Sequence, residues 1–499
     1  MNKQASLKNK TISGMIWSFS ERISTQIVQL IVQVVLARLL VPEDFGLLGM
    51  IMVFIALSQT FVDNGFTKGL VREHNSTEED YSTVFFFNLA AAIALYITLF
   101  FSAEGISIFF EEPQLVSLIR VIGVVLVINA FGLIQRTILI KKMNFKTETK
   151  INLASSLSAG VIAIFLALRG AGVWALVFQK IFMQFFQALL LTFSNRWLPS
   201  LVFNVESFKR FFSFGWKLFA SSLIGNLYKE INQVIIGRMF LATDLGFYTN
   251  AKKLKDTAAN SITQSVQKVS YPVLSSLQDD PTLLKKGYQK IIKNAVYITF
   301  PFMLGLMAIA PTMIPLFLGE QWASSIGYFQ ILCLAGALYP LHAINLNILQ
   351  VKGRTDLFLK FEIVKKVVGL TLIVVSVVLE LGIEGLLWAT VINSYISFFI
   401  NSSNSKELAN YSSLEQLKDI GKTAFNSILM TIGVYIIGTN VLPFGYFLTL
   451  IIQVCSGVAL YVTLSLLFKV EEFTTILNII KPLVVRVLKR GHSNFKIFK

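Results

Sequence analysis

The chain has 499 residues, of which 54% are apolar and only 14% charged, and 44 Lys and Arg against 28 Asp and Glu give a formal net charge of +16. A soluble globular chain carries roughly 25% charged residues, so this composition excludes an ordinary soluble enzyme and predicts an integral membrane protein. The 43 phenylalanines point the same way, because lipid-facing surfaces take bulky apolar side chains. Fourteen spans of about 20 residues would use about 280 residues and leave short loops, with no room for a soluble catalytic domain.

In chain order, the apolar runs predict spans near 12–37, 45–66, 82–103, 115–135, 151–168, 173–193, 212–236, 244–275, 295–318, 324–349, 361–379, 385–403, 420–438 and 443–468. The first run lacks a small-residue cleavage site and is longer than a signal-peptide core, so it reads as a retained span. The eighth, GFYTNAKKLKDTAANSITQSVQKVSYPVLSSL, is polar for a span and fits either a transmembrane or an interfacial helix. Cys333 and Cys455 both lie in apolar runs and read as small buried residues rather than a disulfide framework.

Loop charges test this division. The termini and alternate connections carry basic clusters: Lys3, Lys8 and Lys10; the stretch from Arg136 to Lys150; Lys285, Lys286, Lys290 and Lys293; Lys352, Arg354 and Lys360; and the tail after Lys481. The other side has Arg38, Arg169 and Arg238 against Glu43, Asp44, Glu104, Glu111, Glu112, Asp244, Glu320, Glu380 and Glu384. Basic loops stay cytoplasmic, so both termini are expected inside and the span number even. Attraction to anionic headgroups accounts for the basic face. No recognition motif accompanies it, so nucleic acid is not an expected partner.

The chain also matches itself. QVVLARLLVPEDFG at 33–46 returns as QVIIGRMFLATDLG at 233–246, Ile138, Leu139 and Lys142 return as Ile348, Leu349 and Lys352, and Trp174-Ala175 returns as Trp388-Ala389. The offsets of 200, 210 and 214 drift as loop insertions would make them. Six spans separate the copies, so they share one orientation, as in parallel repeats related by an axis along the membrane normal. The expected architecture is all-α and polytopic, with about 14 transmembrane helices: one six-helix bundle over 1–210, a second over 211–405, two further helices over 406–470, and a basic cytoplasmic tail over 471–499.

Charges at membrane depth must face protein or water. Arg22, Lys217, Lys229, Lys252, Lys255 and Lys268 make that inventory cationic. Gln26, Gln29 and Gln33 extend a polar stripe from Arg22, and Asn226 and Gln233 stand on the counterpart helix. These side chains are the candidate lining of a wet, positively charged cavity, which would concentrate an anionic, hydroxyl-rich substrate; polar stripes also pack helices together. Glu21, Asp63, Glu230, Arg38 and Arg238 are candidates for ion coupling or gating. Arg38 and Arg238 also read as helix-end cations opposite Asp44 and Asp244, and Asp63 as a helix-ending cap.

The opening segment GMIWSFSERISTQIVQLIVQVVLARLLVPEDFGLLGM resembles the bacterial polysaccharide flippase family, which exports lipid-linked oligosaccharide repeat units and shares a superfamily with multidrug and toxin extruders. DNGFTKGLV at 63–71, QRTILIKKMNFK at 135–146 and FGWKLFASSLIGNLYKEINQVIIGRMF at 214–240 look especially like its colanic and teichuronic acid exporter branch. The resemblance implies a fourteen-helix flippase of the inner membrane, with undecaprenyl-diphosphate-linked oligosaccharide as substrate. It implies basic cavity residues on the diphosphate, for which Arg22, Lys217, Lys229 and Lys252 are the candidates. It also implies a polysaccharide polymerase and chain-length regulator as neighbours, and a proton or sodium ion as the candidate coupling ion, with no other cofactor.

No bond is broken in such transport, so no nucleophile or general acid is expected. A pathway glycosyltransferase or polymerase would need a sizeable soluble loop carrying paired acids. A cation extruder would want carboxylates at membrane depth rather than a lysine surplus. A scramblase would move ordinary phospholipid. An ATP-driven exporter would need a GxxxxGK[ST] loop, which the sequence lacks.

Overall fold

A computed structural model describes residues 24–63, 65–73, 75–441, 445–475 and 477–478. Glu21 and Arg22 lie outside the described residues, as do the side chains of Asp63 and Lys217. The described residues are helical with short connections, and ten helices are long and apolar enough to cross a membrane. The chain is a multi-pass, all-helical membrane protein. Its helices divide into two compact units, 1–249 and 250–499.

In the first unit, α1 (Ser24–Leu39) is followed by α2 (Pro42–Asp63), the short α3 (Phe66–Arg72), α4 (Glu78–Phe110), α5 (Leu115–Ile122), α6 (Val124–Lys141), α7 (Phe145–Leu168), α8 (Val173–Asn195) and α9 (Val205–Met239). Local chemistry starts these helices. Thr77 and Asp80 form a reciprocal capping box at α4, Asn144 accepts from the Thr147 amide at α7, and Asn204 accepts from the amides of Glu206 and Ser207 at α9; each satisfies donors that have no partner within the helix. The start of α9 is pinned to α4 by Asp80, which is 2% exposed, accepts from Ser207 Oγ at 2.6 Å and pairs with Arg210. An aromatic cluster of Phe66, Phe85, Phe211 and their neighbours packs beside that link.

The helix α10 (Ala242–Ser276) starts in the first unit and continues into the second. There follow α11 (Pro281–Leu318), α12 (Ser325–Ala337), α13 (Tyr339–Val351), α14 (Thr355–Val378), α15 (Gly382–Ser402), the five-residue α16 (Ser405–Ala409), α17 (Ser413–Val441) and α18 (Tyr446–Leu467). Asp280 caps α11, with Pro281 preset for its first turn. The last long helix, α18, docks on α11 through polar contacts: Tyr297 Oη donates to Ser465 Oγ and Tyr461 Oη donates to the Tyr297 carbonyl, each at 2.9 Å. Such hydrogen bonds hold helices together where lipid offers no hydrophobic drive between them.

The repeat is visible in the backbone. Both α1–α2 and α9–α10 break over two residues, 40–41 and 240–241, before the next helix starts at Pro42 or Ala242. The α6–α7 corner (Lys141 to Phe145) matches the α13–α14 corner (Val351 to Thr355) at an offset of 210. Left-handed residues recur at that offset too: Met143 with Gly353, Gly170 with Glu380, and Gly172 with Gly382. The Trp174–Trp388 match, at 214, is therefore about one helical turn out of register. No insertion is needed there.

Two repeat-related turns meet reciprocally. A Cβ on Gly46 would strike the Ala242 carbonyl, and a Cβ on Gly246 would strike the Pro42 carbonyl. Position 42 corresponds to 242 and 46 to 246, so the contact is its own mirror under the repeat. Only glycine lets the backbones come so close.

Several helices overrun the predicted spans: α4 begins at Glu78 rather than 82, α9 at Val205 rather than 212, and α11 at Pro281 rather than 295. Hydropathy sees only the part of a helix inside the hydrocarbon. Three long helices, α9, α10 and α14, do not meet the length-and-hydropathy measure that the ten do. Two of them, α9 and α10, carry Lys229, Glu230, Lys252, Lys255 and Lys268, and α14 carries Lys360, Glu362, Lys365 and Lys366.

Candidate functional site

The candidate residues of the first unit lie on α1 and α9. On α1, Gln33 is 6% exposed, Gln26 is half-buried and Gln29 is exposed. On α9, Asn226 and Gln233 share a face at i and i+7, and that face turns to α2. Asn226 Nδ2 donates to Thr60 Oγ1 and Gln233 Nε2 to the Gly49 carbonyl, both at 2.7 Å. The expectation that these two amides line a cavity is corrected: they fasten α9 to α2, as polar groups between membrane helices do. Lys229 is exposed and Glu230 half-buried on the same helix.

At the other end of α9, Arg238 Nη1 lies 2.5 Å from Glu111 Oε1 and its guanidinium sits 5.7 Å from the Phe109 ring centroid. Glu111 is the left-handed cap residue of α4. Arg238 thus joins two helix ends, and its partner is Glu111 rather than Asp244. Arg38 is exposed. Asp44 follows the cap reading, with Oδ2 accepting from the Val41 amide at 3.2 Å, and it also accepts from the Val173 backbone at the start of α8.

In the second unit, α10 carries Lys252, Lys255 and Lys268. Lys252 is half-buried and Lys268 exposed. Lys255 is 3% exposed; its Nζ donates to Asp256 Oδ1 at 2.6 Å and to Tyr339 Oη at 2.8 Å. Lys255 as an open cavity wall is therefore corrected, because its charge is spent on a buried pair. The helix puts 252 and 255 about 60° apart around its axis, enough for one to be shielded and the other not.

A polar column on α13 escaped the sequence reading. Tyr288 Oη donates to Asn345 Oδ1, His342 Nε2 lies 2.9 Å from Ser394 Oγ, and Asn347 Nδ2 donates to Ser270 Oγ at 2.7 Å. The signal was present as His342, Asn345 and Asn347 in YPLHAINLNILQV, an apolar segment whose polar side chains recur within one to two turns. The basic connections are also less open than expected. Arg136 pairs with Glu148 at 2.8 Å, Lys141 donates to Ser76 Oγ at 2.8 Å, and Lys285 pairs with Glu415 at 2.9 Å.

Each unit holds an apolar recess. In the first, Val53, Phe54, Phe101, Phe109, Leu227 and Ile231 are among the residues around about 630 Å³ between α2, α4 and α9. In the second, Phe300, Leu334, Leu341, Tyr395, Phe398 and Ile420 are among those around about 300 Å³. Their walls suit hydrocarbon, and among the described residues none of the candidate lysines lines them.

Comparison with known proteins gives this geometry a family. The chain is 26% identical over 355 residues to the teichuronic acid biosynthesis protein TuaB of Bacillus subtilis (strain 168), covering 70% of this chain and 73% of the relative. It is 23% identical over 387 residues to the succinoglycan biosynthesis transport protein ExoT of Rhizobium meliloti (strain 1021), covering 77% and 78%. Among solved structures, the lipid II flippase MurJ in an inward closed conformation superposes with a TM-score of 0.72 at 16% identity, over 92% of this chain and 98% of that one; at that identity the likeness shows a shared fold. The family model described as "Polysaccharide biosynthesis protein" matches residues 35–327, and the chain belongs to that family.

Proposed function

We propose that this protein is a flippase. It carries undecaprenyl-diphosphate-linked oligosaccharide repeat units from the cytoplasmic to the outer face of the bacterial inner membrane, for surface polysaccharide synthesis. The observation that carries the reading is a member of a polysaccharide-biosynthesis family built from membrane helices, whose longest connection between described helices is the stretch 196–204. A relative named as a transport protein and a fold shared with a lipid II flippase support it. Short connections give a glycosyltransferase no place for its chemistry, so the protein moves its substrate without making or breaking a bond.

In this reading the two repeats open alternately to either face. Arg22, Lys217, Lys229 and Lys252 attract the diphosphate, the amide stripe of Gln26 and Gln29 meets sugar hydroxyls, and the polyprenyl chain stays in hydrocarbon. Both termini face the cytoplasm, a proton or sodium ion supplies the drive, and a polymerase and chain-length regulator act on the delivered units.

Deletion and complementation test this. Cells lacking the gene lose surface polymer and accumulate lipid-linked units on the inner leaflet, and the wild-type gene restores both. Lys229→Ala and Lys252→Ala restore less polymer at equal protein abundance. Normal polymer in the deletion strain contradicts the reading.

A further inference from the structure

The apolar recess between α2, α4 and α9 is not used by the flippase reading, and one end of it carries charge. Its walls are built at helical spacing. Phe101, Gly105 and Phe109 recur at every fourth residue of α4, and Leu227, Ile231 and Val234 stand at i, i+4 and i+7 of α9. The α9 stripe continues one turn further to Arg238, whose guanidinium sits 5.7 Å from the Phe109 ring centroid. The charge at the end of the stripe therefore lies against the apolar wall itself. Glycine at 105 keeps the recess open: no heavy atom lies within 4 Å of where its Cβ would stand.

Both α2 and α4 are long and apolar enough to cross a membrane, and Phe101 and Leu227 on the walls are exposed, so the recess opens onto hydrocarbon. From Leu227 to Arg238 the helix rises about 16 Å, about half of a hydrocarbon core of roughly 30 Å. The recess is thus as deep as one leaflet, with Arg238 at the level of the headgroups. A guanidinium has five N–H donors, and Glu111 takes one of those of Arg238, through Nη1. The Arg238 side chain stays 42% exposed and that of Glu111 72%. Glu112 follows Glu111, and the charge of Glu43 acts on it. Arg120 on α5 is committed to Glu104 at 3.0 Å.

We propose that this recess is a binding site for a phospholipid with an ethanolamine headgroup. The lipid phosphate accepts from the Arg238 guanidinium, the primary ammonium donates to the carboxylates of Glu111 and Glu112, and one acyl chain lies along the stripe from Phe109 to Phe101 beside Gly105. Arginine and phosphate make charge-assisted hydrogen bonds of the strong class. The site uses the leaflet that meets the C-terminal ends of α4 and α9, and it requires only a membrane-spanning chain, so it stands apart from the flippase reading.

The charges at the rim decide which lipid fits. An acyl chain leaves one apolar surrounding for another when it enters the recess, so the chain supplies fit and the headgroup supplies selectivity. Glu111, Glu112 and Glu43 outnumber Arg238, and like charges disfavour each other at close range. A phosphatidylglycerol headgroup brings a negative charge with no cation to answer those carboxylates, and a polyprenyl phosphate does the same. Phosphatidylcholine brings a cation, but its quaternary nitrogen has no N–H to donate. Phosphatidylethanolamine matches the guanidinium and the carboxylates together.

The test is native mass spectrometry of the purified full chain, equilibrated with phosphatidylethanolamine, phosphatidylcholine and phosphatidylglycerol of the same acyl chains in equal amounts. The wild type is expected to retain phosphatidylethanolamine about tenfold over phosphatidylglycerol and about threefold over phosphatidylcholine. Gly105→Leu places a side chain in open space, so it fills the recess without a clash; it should lower the retained phosphatidylethanolamine about tenfold while the thermal unfolding midpoint in lipid-free detergent stays at the wild-type value. Arg238→Gln and Glu111→Gln should each abolish the order among the three headgroups. A wild type that retains the three lipids equally, or prefers phosphatidylglycerol, overturns the proposal. So does a folded Gly105→Leu chain that keeps its phosphatidylethanolamine, an Arg238→Gln chain that keeps the wild-type order, or displacement of phosphatidylethanolamine by an equal amount of polyprenyl phosphate.

Discussion

Two lysines, each followed by an acid, have opposite surroundings in the two units. Lys229-Glu230 on α9 places its lysine at an exposed position, whereas Lys255-Asp256 on α10 is folded into a buried pair under Tyr339. The dipeptides are chemically alike, so the difference comes from what packs against each helix. On α9 the face at 226 and 233 is taken by α2, while Lys229, about 60° round the helix from Asn226, remains exposed. On α10 the absence of a side chain at Gly336 makes room for a lysine stem. The fate of a charge on these helices is thus set by what packs against it, not by the dipeptide that carries it.

The contrast breaks most visibly at Asp256. Asp256→Ala strands a buried ammonium and is expected to cost about 3–5 kcal/mol, read as a lowered midpoint of thermal unfolding in detergent; replacing both residues with methionine recovers most of the loss. A midpoint unchanged in Asp256→Ala would place the pair in water.

Next in size are the reciprocal glycines. Gly46→Val and Gly246→Val each drive a side chain into the opposing backbone, at about 1–3 kcal/mol for each. Because the contact is symmetric under the repeat, the two losses should be similar, and the double variant should fall short of their sum. Strongly unequal losses would show that the repeat is not respected at this crossing.

Gln233→Leu leaves the Gly49 carbonyl without its amide donor and should cost about 1 kcal/mol, with little effect on polymer yield in cells beyond the loss of protein. Lys229→Ala should change stability by less than about 0.5 kcal/mol yet lower surface polymer at unchanged abundance. The pair of variants sharpens the distinction between a packing amide and a substrate-facing cation; a Lys229→Ala strain with full polymer would remove Lys229 from the site.

Much of the fold was legible because membrane helices write themselves as long apolar runs and because the QVVLARLLVPEDFG repeat kept its polar landmarks. What failed was register where identity was not kept. The corners after α6 and α13, and those after α7 and α14, share backbone shape, yet Met143 stands where Gly353 stands and Gly170 where Glu380 stands. Left-handed geometry there is enforced by the turn and the following helix, so no residue match announces it, and the Trp-Ala coincidence drew the alignment one turn away. At the candidate site, residue types were legible and facing was not. Gln233 and Lys255 have the chemistry of a cavity wall, and only the packing of α2 and α12 shows that both are committed elsewhere. The α13 column was missed because Tyr288, Ser270 and Ser394, its partners, come from three other helices.

The most direct test of the account is translocation in proteoliposomes holding the purified chain and a fluorescent undecaprenyl-diphosphate oligosaccharide. Accessibility to an external glycosidase should rise from the outer-leaflet fraction towards completion with the wild type, fall sharply with Lys229→Ala and Lys252→Ala together, and leave labelled phosphatidylcholine unmoved. Wild-type vesicles that leave the inner pool of glycolipid protected, or that move phosphatidylcholine equally well, would contradict it.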